Sequence, residues 1–185
     1  MSLLDIEHIL VEKLKSCTHA LGCPIKVVSI VPLEYVERAG GVFNKEEMSI
    51  ASAVCPSPTE SMIGFLHEVC HCLVLTKKFR GDKDRYDREY ERLLKTYGYD
   101  LHPEEQLCNM YGVKKTKEIV LGRAPQACLE AFVLITVGSL YQAKKAEEGR
   151  RLLKTLETEG LEKAFRKAVE IAKNMFCRPE ICKEI

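Results

Sequence analysis

Hydrophobic and polar positions divide the chain into a short β-rich stretch between helices. Residues 1–21 alternate apolar positions with Asp5, Glu7, Glu12, Lys13 and Lys15, which predicts an amphipathic helix ending near Gly22 rather than a basic flank and apolar leader. The β-branched run 24–31 reads as a strand. Residues 40–43 and 48–54 read as two more, joined by a polar turn at 44–47. A loop over 55–59 offers Ser57 or Thr59 as a helix cap. The next helix-length run, 61–76, is apolar almost all round, as a buried helix requires.

Beyond it, 77–83 reads as a charged connector and 84–97 as a charged, solvated helix stopped by Gly98. A short helix is predicted from Pro103, with Glu104 and Glu105 suited to the helix dipole and Gly112 as its stop. Two longer helices are predicted over about 125–149 and 152–176, and Pro179 breaks the pattern. The fold class is α+β: a small N-terminal antiparallel or mixed sheet with a buried helix, then a mostly helical C-terminal half. At 185 residues this makes one domain, with a core over about 24–112 and a helical extension over about 113–185.

Composition adds exclusions. Lys and Arg number 28 against 27 Asp and Glu, so no charge excess argues for nucleic acid or an anionic membrane surface. The longest apolar stretch, 124–141, contains Gln126 and Glu130 and reads as a buried helix, not a membrane crossing. Nine cysteines without a C-x-x-C pair argue against a cysteine-based structural zinc site. Several lie in apolar segments and are expected to be buried thiols in a reducing cytoplasm. Cys177 with Cys182, and Cys17 with Cys23, are candidate pairs if the host is a thermophile that tolerates intracellular disulfides.

The chemistry sits in the apolar run. His67-Glu68-Val69-Cys70-His71 reads H-E-x-x-H, and Glu68 is the only charge between Glu60 and Lys77. Residues four apart share a helix face, so both imidazoles can grip one zinc ion. Glu68, beside the first histidine, falls where a carboxylate can act as general base on water. Two imidazoles and a carboxylate buried without partners would cost several kcal/mol, and a metal supplies partners.

A catalytic zinc takes three protein ligands. Val74 and Lys77 stand where the third-histidine class needs Gly and His, so the third ligand lies elsewhere. An Asp within 81–87 is conceivable. Glu105 is favoured, because Asn109 shares its helix face and can support a neighbouring ligand. Glu130 is the main rival, as the lone charge between Arg123 and Lys144.

His67-Glu-Val-Cys-His71 followed by Glu105-x-x-Cys-Asn109-x-Tyr111-Gly112 resembles the gluzincin metallopeptidases, and among them is most similar to the ImmA/IrrE-type peptidases. The strand pair ahead of the helix fits as well, and the resemblance spans roughly residues 24–112. Cys70, Leu107 and Cys108 depart from the usual residues of that family, and only one helix precedes the sheet. The resemblance implies a zincin-like fold, Zn2+ held by His67, His71 and Glu105, and Glu68 as catalytic base in peptide-bond hydrolysis. It implies a peptide or protein substrate, with the strand 48–54 at the cleft edge. Tyr97, Tyr99, His102, Tyr111 and Arg123 are the candidates for oxyanion stabilisation. The alternative is a zinc-stabilised interaction or regulatory protein without turnover.

Overall fold

The computed structural model describes residues 3–36, 40–79, 88, 91, 92, 95 and 103–185. Helix α1 (Leu3–Ala20) leads into strand β1 (Val27–Ile30), a 3-10 turn (Leu33–Tyr35), β2 (Gly41–Asn44) and β3 (Ser49–Ser52). Then come α2 (Pro58–Leu75), α3 (Pro103–Val120), α4 (Gln126–Gln142), α5 (Ala146–Glu159), α6 (Leu161–Lys173) and the short α7 (Pro179–Cys182). This is the expected α+β class, a three-stranded mixed sheet with a mostly helical remainder. The charged helix expected over 84–97 falls largely outside the described residues.

Sheet order is β1-β3-β2, with β3 parallel to β1 and antiparallel to β2. Val28 and Ile50 point into the core, whereas Val27 and Val42 are exposed on the other face. The β2–β3 turn is built by Asn44, whose Oδ1 accepts from the N–H groups of Glu46 (3.0 Å) and Glu47 (3.1 Å). Strand β3 is therefore central, which corrects the expectation that 48–54 borders the cleft. That place belongs to β2.

Helix α1 buries Ile6, Leu10, Leu14 and Cys17 on one stripe, packed on α4 and β1. Helix α4, apolar on every side, is the central post, touching α1, α2, α3, α5 and α6. Among the described residues no helix is long and apolar enough to cross a membrane. Helix α6 presents Ala164, Ala168 and Ala172, all fully buried, so its backbone approaches closely.

Three helices stand where two were expected. Lys144 takes φ 60° and Gly160 φ 90°, and these left-handed residues separate α4, α5 and α6. Gly149, expected to be a boundary, lies inside α5 against the Tyr141 ring. Gly112 is also no stop, because α3 runs eight residues past it to Val120.

The cysteines are arranged differently from the expectation as well. Cys17 bonds to Cys128, 111 residues away, not to Cys23. Cys177 and Cys182 form the second disulfide, as their spacing allows. Cys23, Cys70, Cys72 and Cys108 remain buried thiols, and Cys55 is partly buried.

Candidate metal centre

Helix α2 starts as the sequence suggests. Ser57 is the N-cap, accepting the Glu60 N–H at 3.2 Å, and Pro58 opens the first turn. The same Ser57 hydroxyl donates to the Phe176 carbonyl at 2.7 Å. Arg178 adds a two-pronged ion pair to Glu60, at 2.6 and 3.0 Å. The C-terminal segment thus pins the start of the helix that carries the motif. From Met62 to Leu73 that helix is buried except at Gly64 and His71.

Helix α3 crosses α2 at Gly112. A Cβ built there would stand 2.8 Å from the Ile63 carbonyl oxygen and 3.4 Å from the His67 nitrogen, so only glycine allows this spacing. About two turns toward the N-terminus, the close crossing carries Glu105 and Glu104 over the two histidines. Glu105 Oε2 lies 3.1 Å from His67 Nε2, and Oε1 lies 2.9 Å from His71 Nε2. The two Nε2 atoms are themselves 3.1 Å apart. Tetrahedral ligands about 2.0–2.1 Å from zinc are separated by roughly 3.3 Å, so this set needs only slight expansion to enclose such an ion.

Two neighbours orient the imidazoles. Asn109 stands close enough to His67 to favour its charged form, as its place on the Glu105 face suggests. Glu104 Oε1 meets His71 Nδ1 at 2.8 Å, which leaves the His71 Nε2 lone pair facing Glu105 when Nδ1 carries the proton. Sequence reasoning gave Glu104 only a helix-dipole role. Its signal was the adjacency of two acids at the start of a helix facing the motif, which is common without any site.

A second group of donors, His71, Glu104 and Cys108, also has its ligand atoms within 4.8 Å of one another. Among the described residues there are therefore two groupings able to hold a metal ion, both built on His71. Glu130 belongs to neither. It is ion-paired with Lys13 on α1 and accepts from Gln126, so the rival third ligand has ordinary partners.

Glu68 is buried on the cleft floor, with Oε1 4.0 Å from His67 Nε2. Burial raises its pKa to about 7, assisted by the Glu105 charge and opposed by His71 and the Phe43 N–H. For His67, burial and then the charge of His71 lower the pKa. Burial also opposes charge on His71, but hydrogen bonds to Cys108 and Glu104 and the charge of Glu105 outweigh it, giving about 10.

The cleft above these groups holds about 790 Å³, walled by β2 and its turn on one side and by Glu104 and Glu105 on the other. The Ala53 N–H donates to the Gly40 carbonyl at 3.0 Å. Antiparallel alternation then turns the backbone groups of Gly41 and Phe43 away from β3, toward the cleft.

Of the expected oxyanion groups, the described ones, Tyr111 and Arg123, are not gathered here. Tyr97, Tyr99 and His102 lie outside the described residues, as do Asp82, Asp84 and Asp87. Tyr111 is buried, its ring 5.8 Å from that of Phe79, and Arg123 follows the end of α3. Neither lines the cleft. His8 and His19 are exposed on α1, and His19 Nε2 lies 2.8 Å from the Ile25 carbonyl. No protein-family model matches the chain, and no curated protein or solved structure is significantly similar to it.

Proposed function

We propose that this protein is a zinc-dependent peptidase of gluzincin type, with a zincin-like arrangement of strands and two crossing helices. The observation that carries the reading is the convergence of His67 and His71 from α2 with Glu105 from α3, within 2.9–3.1 Å, beside a buried Glu68. Two imidazoles and one carboxylate are the donor set of a catalytic zinc, which leaves a fourth position open. Zinc bound there would supply Lewis acidity toward a carbonyl oxygen and would acidify water.

The remaining chemistry belongs to side chains of the chain itself. Glu68, buried on the cleft floor with a pKa near 7, is poised to take a proton from attacking water. Passing that proton to the amine nitrogen completes cleavage of the C–N bond. Glu104 and Asn109 keep the imidazoles in orientation, so no side chain has to rearrange as the bond breaks. The outward backbone groups of β2 offer an edge to which an extended peptide can add as a strand. A preference for peptides over small amides follows from that edge and from the open cleft.

The test is cleavage of a peptide library by wild type and by Glu68→Gln, with metal content measured on both. The reading requires equal zinc and at least a hundredfold loss of cleavage in the variant. A variant that cleaves as fast as wild type refutes it and favours the zinc-stabilised, non-catalytic alternative.

A further inference from the structure

His71 belongs to two donor sets through the two nitrogens of one ring. Nε2 faces His67 at 3.1 Å and Glu105 at 2.9 Å, while Nδ1 faces Glu104 at 2.8 Å. Cys108 completes the second set, with all three donor atoms within 4.8 Å of one another. Its thiol is fully buried beside His71. The hydrolytic mechanism uses the Nε2 set and the Glu104 hydrogen bond, but it gives Cys108 no role.

We infer that His71, Glu104 and Cys108 form a second metal position, selective for a thiophilic divalent cation such as Cd2+, and that its occupation excludes zinc from the first. The inference rests on the reading of His67, His71 and Glu105 as the zinc set.

Exclusion follows from imidazole chemistry. A neutral ring carries one proton and one ligating lone pair. With the proton on Nδ1, donated to Glu104, the lone pair on Nε2 serves the first set. With the proton on Nε2, Nδ1 serves the second set and an N–H points at His67 and Glu105. Filling both positions would require removing the ring's last proton, so the chain holds one ion at a time.

Selectivity follows from the donors. The first set offers two nitrogens and a carboxylate oxygen, whereas the second includes a sulfur. Thiolate donors favour soft cations. The Cys108 S–H proton passes to solvent as the sulfur–metal bond forms, and no electron is transferred. Entry is by way of Glu104, whose side chain is 36% exposed at the cleft wall. A captured thiophilic ion also breaks the Glu104–His71 hydrogen bond, so one event removes a zinc ligand and its orienting partner.

The test strips the full-length protein of metal and titrates it with Zn2+ or Cd2+, following affinity, stoichiometry and ultraviolet absorption. One equivalent of either ion should bind, and Cd2+ should give a thiolate-to-cadmium charge-transfer band. Cys108→Ser should abolish the band and lower the cadmium-over-zinc affinity ratio at least tenfold. Glu105→Gln should weaken zinc at least tenfold and leave the band intact. The absence of the band in wild type, its persistence in Cys108→Ser, or the binding of both ions together overturns the inference. The wild-type spectrum and Cys108→Ala keep the test decisive should the serine variant fold poorly. Loss of zinc in Glu105→Gln without a cadmium band in wild type sinks this inference alone. Unchanged zinc affinity in Glu105→Gln sinks the zinc set on which it rests.

Discussion

Replacing Gly112 by alanine separates two readings of one residue by the sign of the effect. If Gly112 were an ordinary helical glycine, alanine would stabilise α3 by about 0.8–1 kcal/mol through helix propensity. The structure places the added Cβ 2.8 Å from the Ile63 carbonyl oxygen, a backbone atom that cannot swing aside, and 3.4 Å from the His67 nitrogen. An ordinary carbon–oxygen contact begins near 3.4 Å, so α2 and α3 must part by about half an ångström. Overpacking of this kind costs about 1–3 kcal/mol, which exceeds the propensity gain at its centre. The expected outcome is net destabilisation by about 1 kcal/mol, or a melting point lowered by about 2–4 °C in a chain of this size. The helices also carry the two halves of the metal set, so zinc binding should weaken with them. If the metal restores the native spacing, about 1 kcal/mol of the clash returns on binding, roughly a fivefold loss of affinity. Urea denaturation and zinc competition on the same preparation measure both. A Gly112→Ala protein more stable than wild type, with unchanged zinc affinity, would refute the close-crossing argument.

Three further outcomes follow from the same geometry. Glu104→Ala removes the acceptor for His71 Nδ1, 2.8 Å away, and should weaken zinc 10–100-fold with little change in secondary structure by circular dichroism. Zinc affinity should fall as pH falls. His71 holds a proton with a pKa of about 10 in the metal-free protein, and zinc must displace it at any lower pH. The affinity should therefore rise about tenfold per pH unit through the neutral range, and a pH-independent isotherm would contradict the His71 assignment. Cys17→Ser opens a loop between residues 111 apart and should cost about 2–5 kcal/mol in denaturant, an effect reproduced in wild type by a thiol reductant.

How much of this was legible depended on whether the meaning of a residue was local. Helix α2 was readable because its signals lie side by side: Ser57 and Pro58 at the start, an apolar surface all round, and His67 and His71 four apart. Glu105 and Asn109 were readable for the same reason, as one helix face facing a known need. Glu104 was not, since two acids in a first turn are explained by the helix dipole until His71 is seen 2.8 Å away. Gly112 was misread because a glycine that ends a helix and one that admits a neighbour look identical in sequence. Lys144 broke the long C-terminal helix in a left-handed conformation that favours glycine, and nothing in its type marks that. The central place of β3 and the Cys17–Cys128 bond are tertiary facts, fixed by which surfaces pack together. The ion pair of Glu130 with Lys13 belongs to the same class, and it gives the main rival to Glu105 an ordinary partner.

The central claim is that His67, His71 and Glu105 hold one zinc ion. Its most direct test is metal content and affinity, by mass spectrometry and competition, for wild type, Glu105→Ala and Glu130→Ala. Wild type and Glu130→Ala should each carry one zinc per chain with affinities within threefold, and Glu105→Ala should lose at least a hundredfold. Retention of wild-type zinc affinity in Glu105→Ala, or loss of zinc in Glu130→Ala alone, would contradict the account.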